Sequence, residues 1–286
     1  MVAKNILSFY MSIGIVMNRS FYIIPTHNKE HMIHDVLHSV INCHNSAESL
    51  PTIIVVVDGC TDNTENIVLQ FKEEQDNVHV LYKPDVHEIE CLNSGLQYIQ
   101  DELLPNPDDL IFMIQDDVIL KEPNINVRFS ELFANRNDLG YISMRLGDSV
   151  FSTAGELQET NYAESEFGHW NQLNWNFHSS IKHNEFRECE VAIRSPTCTQ
   201  WKRFKEHGFF DENLKPYGYD CHDFSIRMNE AGYKNGVYAL AFQSDVKWGT
   251  MRSDASSNYN NLINQIYVRN KRYLSEIHKD YFLKNI

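Results

Sequence analysis

The chain has 286 residues, of which 42% are hydrophobic and 22% charged, enough to bury the core of one large domain or two modest ones. Its 39 acidic and 25 basic residues give a net charge of −14, which argues against an electrostatic nucleic-acid binder or a protein held broadly on anionic lipid. Twelve glycines and eight prolines exclude collagen and low-complexity linkers.

The first apolar stretch, Ile6 to Met17, is broken by Ser8 and Ser12. It is shorter than the roughly 20 residues that span a bilayer, and no small-residue cleavage site follows it. Residues 1–19 are therefore read as a segment packed on the domain. No transmembrane anchor is expected, and peripheral membrane contact stays open. Six cysteines without a C-x-x-C pair read as thiols of a reducing, cytoplasmic compartment.

Phe21 to Ile24 is a buried strand stopped by Pro25. From Lys29 the period changes: Met32, Ile33, Val36, Leu37, Val40 and Ile41 form one helical face. Thr52 to Val57 is an unbroken apolar, β-branched run, the pattern of a strand buried on both faces of a parallel sheet. Thr61 and Asp62 then suit the cap of a helix carrying Ile67, Val68 and Phe71. A strand at Val78 to Tyr82, a helix around Leu92, Leu96, Ile99 and Leu103, and a buried strand at Leu110 to Ile114 follow. Strands alternating with helices predict an α/β fold, a doubly wound, mostly parallel sheet flanked by helices.

The second half is more decorated. Residues 147–186 are polar and irregular, with Trp170 and Trp175 divided between sugar-stacking platforms and plain packing. Further expectations are a strand at Val191-Ala192-Ile193, a helix near Trp201 to His207 with Trp201 in the core, and a helix from Asp223 to Ala231 closed by Gly232. A strand over Val237 to Phe242 and a C-terminal helix over Asn261 to Tyr281 complete the chain. The thirteen histidines are read mostly as surface residues, none pairing at helical metal-site spacing with a nearby carboxylate.

Three early strands end in polar groups: Pro25-Thr26-His27-Asn28, Asp58, and Gln115-Asp116-Asp117. In an open α/β sheet with these strands parallel and adjacent, those groups converge where ligands bind. Adjacent aspartates suit a hard divalent cation that shares its shell with phosphates, Asp117 as ligand and Asp116 on a ribose hydroxyl or the same ion. Asp220 and Asp223 flank His222 at the start of a later helix, where capping accounts for one carboxylate and general-base work for another.

Four ordered stretches over about residues 20–250 resemble a family-2 glycosyltransferase of the GT-A fold: IIPTHNKE, VVVDGCTDNT, LNSGL with FMIQDDV, and GFFDE with YGYDCHDFSIRMNEAGY. The resemblance implies a single GT-A domain over 20–250, with a nucleotide-binding half at 20–118, an acceptor-side half at 119–250 and a helical extension at 251–286. It implies an inverting transfer of sugar from a nucleotide-diphosphate sugar to a hydroxyl of a glycan, lipid-linked or protein acceptor, dependent on Mn²⁺ or Mg²⁺. Pro25, Thr26, His27, Asn28 and Glu30 would line the nucleotide pocket, and Asp58 would hold the base or ribose. Asp117 would hold the cation, with Asp116 beside it.

Two departures stand out. Gln115 opens the D-x-D position, and Cys221 occupies the place of the family's catalytic aspartate. Asp220 is then the replacement base, with Asp223 next, and Asp245 a candidate replacement for a histidine the family often carries. The alternative is a nucleotide-sugar-binding protein of the same fold that has lost its base. A phosphatase-type reading of VVVDG fails because Cys60 stands where that chemistry wants a second acid.

Overall fold

In the computed structural model, which describes residues 18–44, 50–144, 182–192, 195–244 and 257–284, the chain forms one eight-stranded mixed sheet covered by helices on both faces. The N-terminal half alternates as the sequence predicts: β1 (Ser20–Thr26), α1 (Ile33–Asn42), β2 (Thr52–Asp58), α2 (Thr64–Glu74), β3 (Val78–Lys83), α3 (Glu88–Tyr98) and β4 (Leu110–Met113). After these come β5 (Val118–Leu120), α4 (Ile125–Asn135), β6 (Leu139–Ser143), β7 (Phe186–Cys189) and β8 (Thr197–Gln200). The chain then forms α5 (Trp201–His207), α6 (Asp220–Glu230), β9 (Lys234–Tyr238) and β10 (Phe242–Ser244), and ends in α7 (Ser257–Ile277) and α8 (Lys279–Lys284).

The sheet order is β3-β2-β1-β4-β8-β6-β9-β7. The first four strands are mutually parallel, β8 runs against both β4 and β6, β6 and β9 are parallel, and β7 closes the edge antiparallel. Side chains alternate between the two faces, so the central strands feed two cores. Tyr22, Ile24, Ile53 and Val55 pack beneath α1 and α2, while Phe21, Ile23, Ile54 and Val56 pack beneath α3. Such two-sided burial is the reason β2 carries no polar alternation.

Gly95 sets how closely α3 approaches β1. A Cβ there would lie 2.5 Å from Ile23 Cγ2, so only glycine permits this contact.

Several local expectations change. Val191 forms an isolated bridge, and the strands lie on either side of it at β7 and β8; Ile193 is outside the described residues. The apolar stretch Val237 to Phe242 is divided between β9 and β10, and β10 leaves the main sheet to pair with β5. The C-terminal helix breaks before His278 and resumes as α8. Trp201 is in the core as expected, whereas Ile6 to Met17, Trp170, Trp175 and Asp245 lie outside the described residues. No disulfide joins any of the six cysteines. Among the described residues no helix is long and apolar enough to cross a membrane.

Candidate active site

The order β2-β1-β4 and the parallel pairing put the ends of these three strands on one edge. The predicted convergence of Pro25–Asn28, Asp58 and Gln115–Asp117 is therefore present in the backbone. Antiparallel β8 enters at the same edge, with Thr197 opposite Met113, and brings Ser195 with it. The Ser195 hydroxyl accepts the Gln115 amide at 2.7 Å and fixes the start of the Gln115-Asp116-Asp117 turn. Beyond that turn, Val118 pairs with Ser244.

The loop after β1 is held by its own polar side chains. The His27 amide donates to Asp116 Oδ2 at 2.9 Å, and His27 Nδ1 donates to the Asp58 carbonyl at 2.5 Å. That bond leaves Nε2 as acceptor for the Asn28 side-chain amide at 3.2 Å. Asn28 adopts φ 52°, a left-handed conformation that asparagine tolerates better than most residues, and its Oδ1 accepts the Thr61 amide at 2.7 Å. His27 and Asn28 thus tie the ends of β1, β2 and β4 together.

Glu30 and Asp58 both accept backbone amides. Glu30 Oε2 accepts the Asn63 amide at 2.8 Å, and Asp62 Oδ1 accepts the Thr64 amide at 3.0 Å, so both serve the start of α2. Asp62 therefore works as the sequence predicts, although Asn63 occupies the cap position. Buried Asp58 accepts the Val86 and His87 amides at 2.7 and 2.8 Å, one on each oxygen. The side chain expected to hold a base or ribose is holding the turn that leads into α3, where His87 sits at φ 69°.

Asp116 is partly enclosed, with buried Lys29 placing its ammonium 4.0 Å from Oδ1. Burial raises its carboxyl from the ordinary 3.8 to about 6, against the opposing pull of Lys29 and of the His27 amide.

One residue at the centre of this edge escaped the sequence reading. Glu88, the first residue of α3, accepts the Gln115 side-chain amide at 3.0 Å. Its carboxyl is pushed well above the usual range by burial first, then by Asp220, and also by Asp117 and Asp116. Glu88 thus stands beside Gln115 at the start of the Asp116-Asp117 turn, with Asp220 among its charged neighbours. The available signal was an acid opening a helix immediately after a strand of the parallel set.

The two candidate bases on α6 differ sharply. Asp220 is buried at the first position of the helix, next to the Cys221 thiol at 3.6 Å, and burial raises its carboxyl above the usual range. Asp223 is bound on one oxygen by Arg227, at 2.9 and 2.6 Å, and on the other by His278 at 2.9 Å. Arg227 also donates to the carbonyls of His207, Gly208 and Phe209. Asp223, expected as the second base, holds α6 to its neighbours through both carboxylate oxygens. His222 is buried beside Tyr219, the ring centroids 5.0 Å apart.

The loop before Asp220 is fastened from the C-terminal extension. Asn270 Nδ2 donates to the carbonyls of Leu214, Tyr217 and Gly218 at 2.7, 3.1 and 3.2 Å, and Tyr273 donates to Asp211 at 2.7 Å.

Among the described residues, no three His, Cys, Asp or Glu side chains are grouped to hold one ion. The carboxylates at the edge do fit a cation that takes one or two protein oxygens and completes its shell with phosphate and water, the usual habit of Mg²⁺. Asp116 and Glu88 are both raised by burial and neighbouring negative charge, and a cation would relieve that repulsion.

Comparison with known proteins agrees with this architecture. The model of glycosyl transferase family 2 matches residues 22–203, more than half of the chain. No curated protein matches the chain in sequence. Among solved structures, S. aureus TarS 1–349 superposes with a TM-score of 0.53 at 13% identity, covering 79% of this chain and 60% of that one. The same protein in complex with UDP-GlcNAc gives 0.54 at 15% identity, covering 88% and 66%. The mannosyltransferase PcManGT from Pyrobaculum calidifontis, in complex with GDP-Man and Mn²⁺, gives 0.53 at 12% identity, covering 82% and 64%. The chain thus spans about 60% of the TarS fragment, and at these identities the superpositions speak to the fold alone. With the architecture and the family match in agreement, the chain belongs to glycosyl transferase family 2.

Proposed function

We propose that the chain moves a sugar from a nucleotide-diphosphate sugar to an acceptor hydroxyl with inversion, using Asp220 as the base and a divalent cation at Asp117. The observation that carries this reading is Glu88, which lies in electrostatic reach of both the Asp116-Asp117 turn and Asp220. A donor diphosphate at the first and an acceptor hydroxyl at the second would then be neighbours. The GDP-Man and Mn²⁺ of PcManGT and the UDP-GlcNAc of TarS support a nucleotide-sugar donor.

On this reading the GT-A unit occupies residues 20–250, and the rims of Pro25, Thr26, His27 and Asn28 border the nucleotide. Glu30 and Asp58 complete the nucleotide pocket, Asp58 toward the base or ribose, while bracing the starts of α2 and α3. Asp117, with Asp116 beside it, would hold Mn²⁺ or Mg²⁺, which when bound neutralises charge on the leaving diphosphate. Asp220 takes the acceptor proton as that oxygen attacks the anomeric carbon and the nucleoside diphosphate departs. Its raised carboxyl suits a base, because a carboxylate that holds its proton more strongly also accepts one more readily. The acceptor is a hydroxyl of a glycan, lipid-linked or protein partner, and the cytoplasm is the compartment we assign.

The second reading, a nucleotide-sugar binder without transfer, draws on Cys221 in the place where the family carries its aspartate. One experiment separates the two. If Asp220 is the base, Asp220→Asn lowers transfer about 10²- to 10⁴-fold and leaves nucleotide affinity unchanged. Wild-type protein that binds nucleotide and transfers nothing across donors and acceptors supports the binder.

A further inference from the structure

The exposed side of α1 carries an arrangement that glycosyl transfer does not use. His34 and His38, one helical turn apart, bring their Nε2 atoms to 3.1 Å from each other. The ring centroids are 4.3 Å apart, and both rings stand edge-on to Phe71 of α2, at 6.2 and 5.0 Å, almost perpendicular to it. The other nitrogen of His34 lies 3.6 Å from Asp35 Oδ1. Two imidazoles are therefore held against one aromatic edge with their Nε2 atoms in contact. His34 is 56% exposed, so the pair is open to water.

We propose that His34 and His38 form a second cation site, separate from the carboxylate edge and selective for the metals that imidazole prefers, Zn²⁺, Ni²⁺ or Cu²⁺. An ion about 2.0–2.1 Å from each nitrogen needs the two atoms roughly 3.3 Å apart for tetrahedral ligation and about 2.9 Å for right-angled ligation. The observed 3.1 Å falls between these separations. Two histidines at i and i+4 lie on one helix face, the spacing that places both on one ion in helical zinc sites. Asp35, 3.6 Å from the second ring nitrogen of His34, adds negative charge beside the pair. Water fills the remaining positions, since among the described residues no third ligand joins the pair.

The site has a structural consequence. Chelation across a turn of α1 would staple the helix that follows the His27–Glu30 loop. Hard cations such as Mg²⁺ prefer carboxylate oxygen, so the two sites divide the available metals by chemistry.

The test is calorimetric titration of untagged protein with Zn²⁺ in the presence of saturating Mg²⁺. Wild type and Asp117→Ala should each take up one equivalent that is lost in His34→Ala and in His38→Ala. Thermal unfolding of the same four proteins should show a Zn²⁺-dependent rise in the first two alone. Circular dichroism of each variant without metal distinguishes loss of the site from loss of the fold. The proposal is overturned if wild type takes up no such equivalent, which leaves an imidazole–imidazole hydrogen bond, or if the equivalent disappears only in Asp117→Ala.

Discussion

His278 reaches Asp223 Oδ1 at 2.9 Å across 55 residues of chain, while Arg227 holds the other oxygen from the same helix. The carboxylate is 3% exposed, and the opposite nitrogen of His278 lies 3.2 Å from Glu230. This contact fixes the C-terminal helices to the helix that begins with Asp220. Asp223 is consequently an anchor, and its removal leaves Arg227 and His278 without their shared partner. Asp223→Ala should cost about 3–5 kcal/mol in denaturant unfolding, the range for breaking a buried pair from one side. Equal stability of Asp223→Ala and wild type would contradict the assignment.

Asp220 should behave in the opposite way. Its carboxyl is raised by burial, so its charged form opposes folding at neutral pH. Asp220→Asn should match or exceed wild type in unfolding free energy at pH 7, even as transfer collapses. A function residue that lowers stability is a common trade, and here both halves are measurable on one variant.

Asp116 supplies a pH dependence. Its folded carboxyl lies near 6 against an ordinary 3.8, so the folded chain holds a proton that the unfolded chain has released within that window. The associated stability is present below about 3.8 and is lost as the pH rises through about 6. Glu88 acts with the same sign. Subtracting the stability–pH curve of Asp116→Asn from that of wild type should expose a fall between these limits, whereas a rise would show the sign to be wrong.

Much of the nucleotide-side architecture was legible. The apolar run of Thr52 to Val57 reported a strand with helices over both faces, and the polar ends of β1, β2 and β4 met because those strands are parallel neighbours. The amides that Asp58 and Glu30 accept were not legible, because they come from the starts of α3 and α2, which the sequence does not place beside them. Glu88 was missed since its meeting with Gln115 depends on where α3 begins relative to β4. The sequence ranks Asp220 ahead of Asp223 as base, but the bond that engages Asp223 comes from His278 at the far end of the chain and could not be read from the motif. By contrast, His34 and His38 stand four residues apart beside Asp35, against the reading that no histidines pair at that spacing near a carboxylate. The stretch around Val191 failed as a strand because three apolar residues specify burial before they specify pairing.

Asn270 provides a test of the C-terminal extension. Its side-chain amide serves carbonyls of Leu214, Tyr217 and Gly218 in the loop before Asp220, and the residue is fully buried. Asn270→Ala strands these acceptors, at a cost of about 1–3 kcal/mol for each buried group left without a partner. Transfer should fall mainly in kcat, because the loop presents the base while the nucleotide loop lies elsewhere. A change confined to the donor KM would contradict this.

Gly95 tests the packing that places Glu88. Gly95→Ala drives a methyl group into Ile23 and should destabilise the fold by about 1–3 kcal/mol as α3 is pushed from β1. An unchanged unfolding midpoint would show that the helix can move without penalty.

The central claim, a nucleotide and cation held at the carboxyl edge of the sheet, is tested most directly by thermal unfolding with UDP, GDP, CDP or dTDP, each with and without Mn²⁺ or Mg²⁺. The account predicts a rise with one nucleotide that requires the cation and disappears in Asp117→Ala, amounting to about 2.7 kcal/mol at 100 times the dissociation constant. No rise with any nucleotide, or a rise that Asp117→Ala leaves intact, would contradict it.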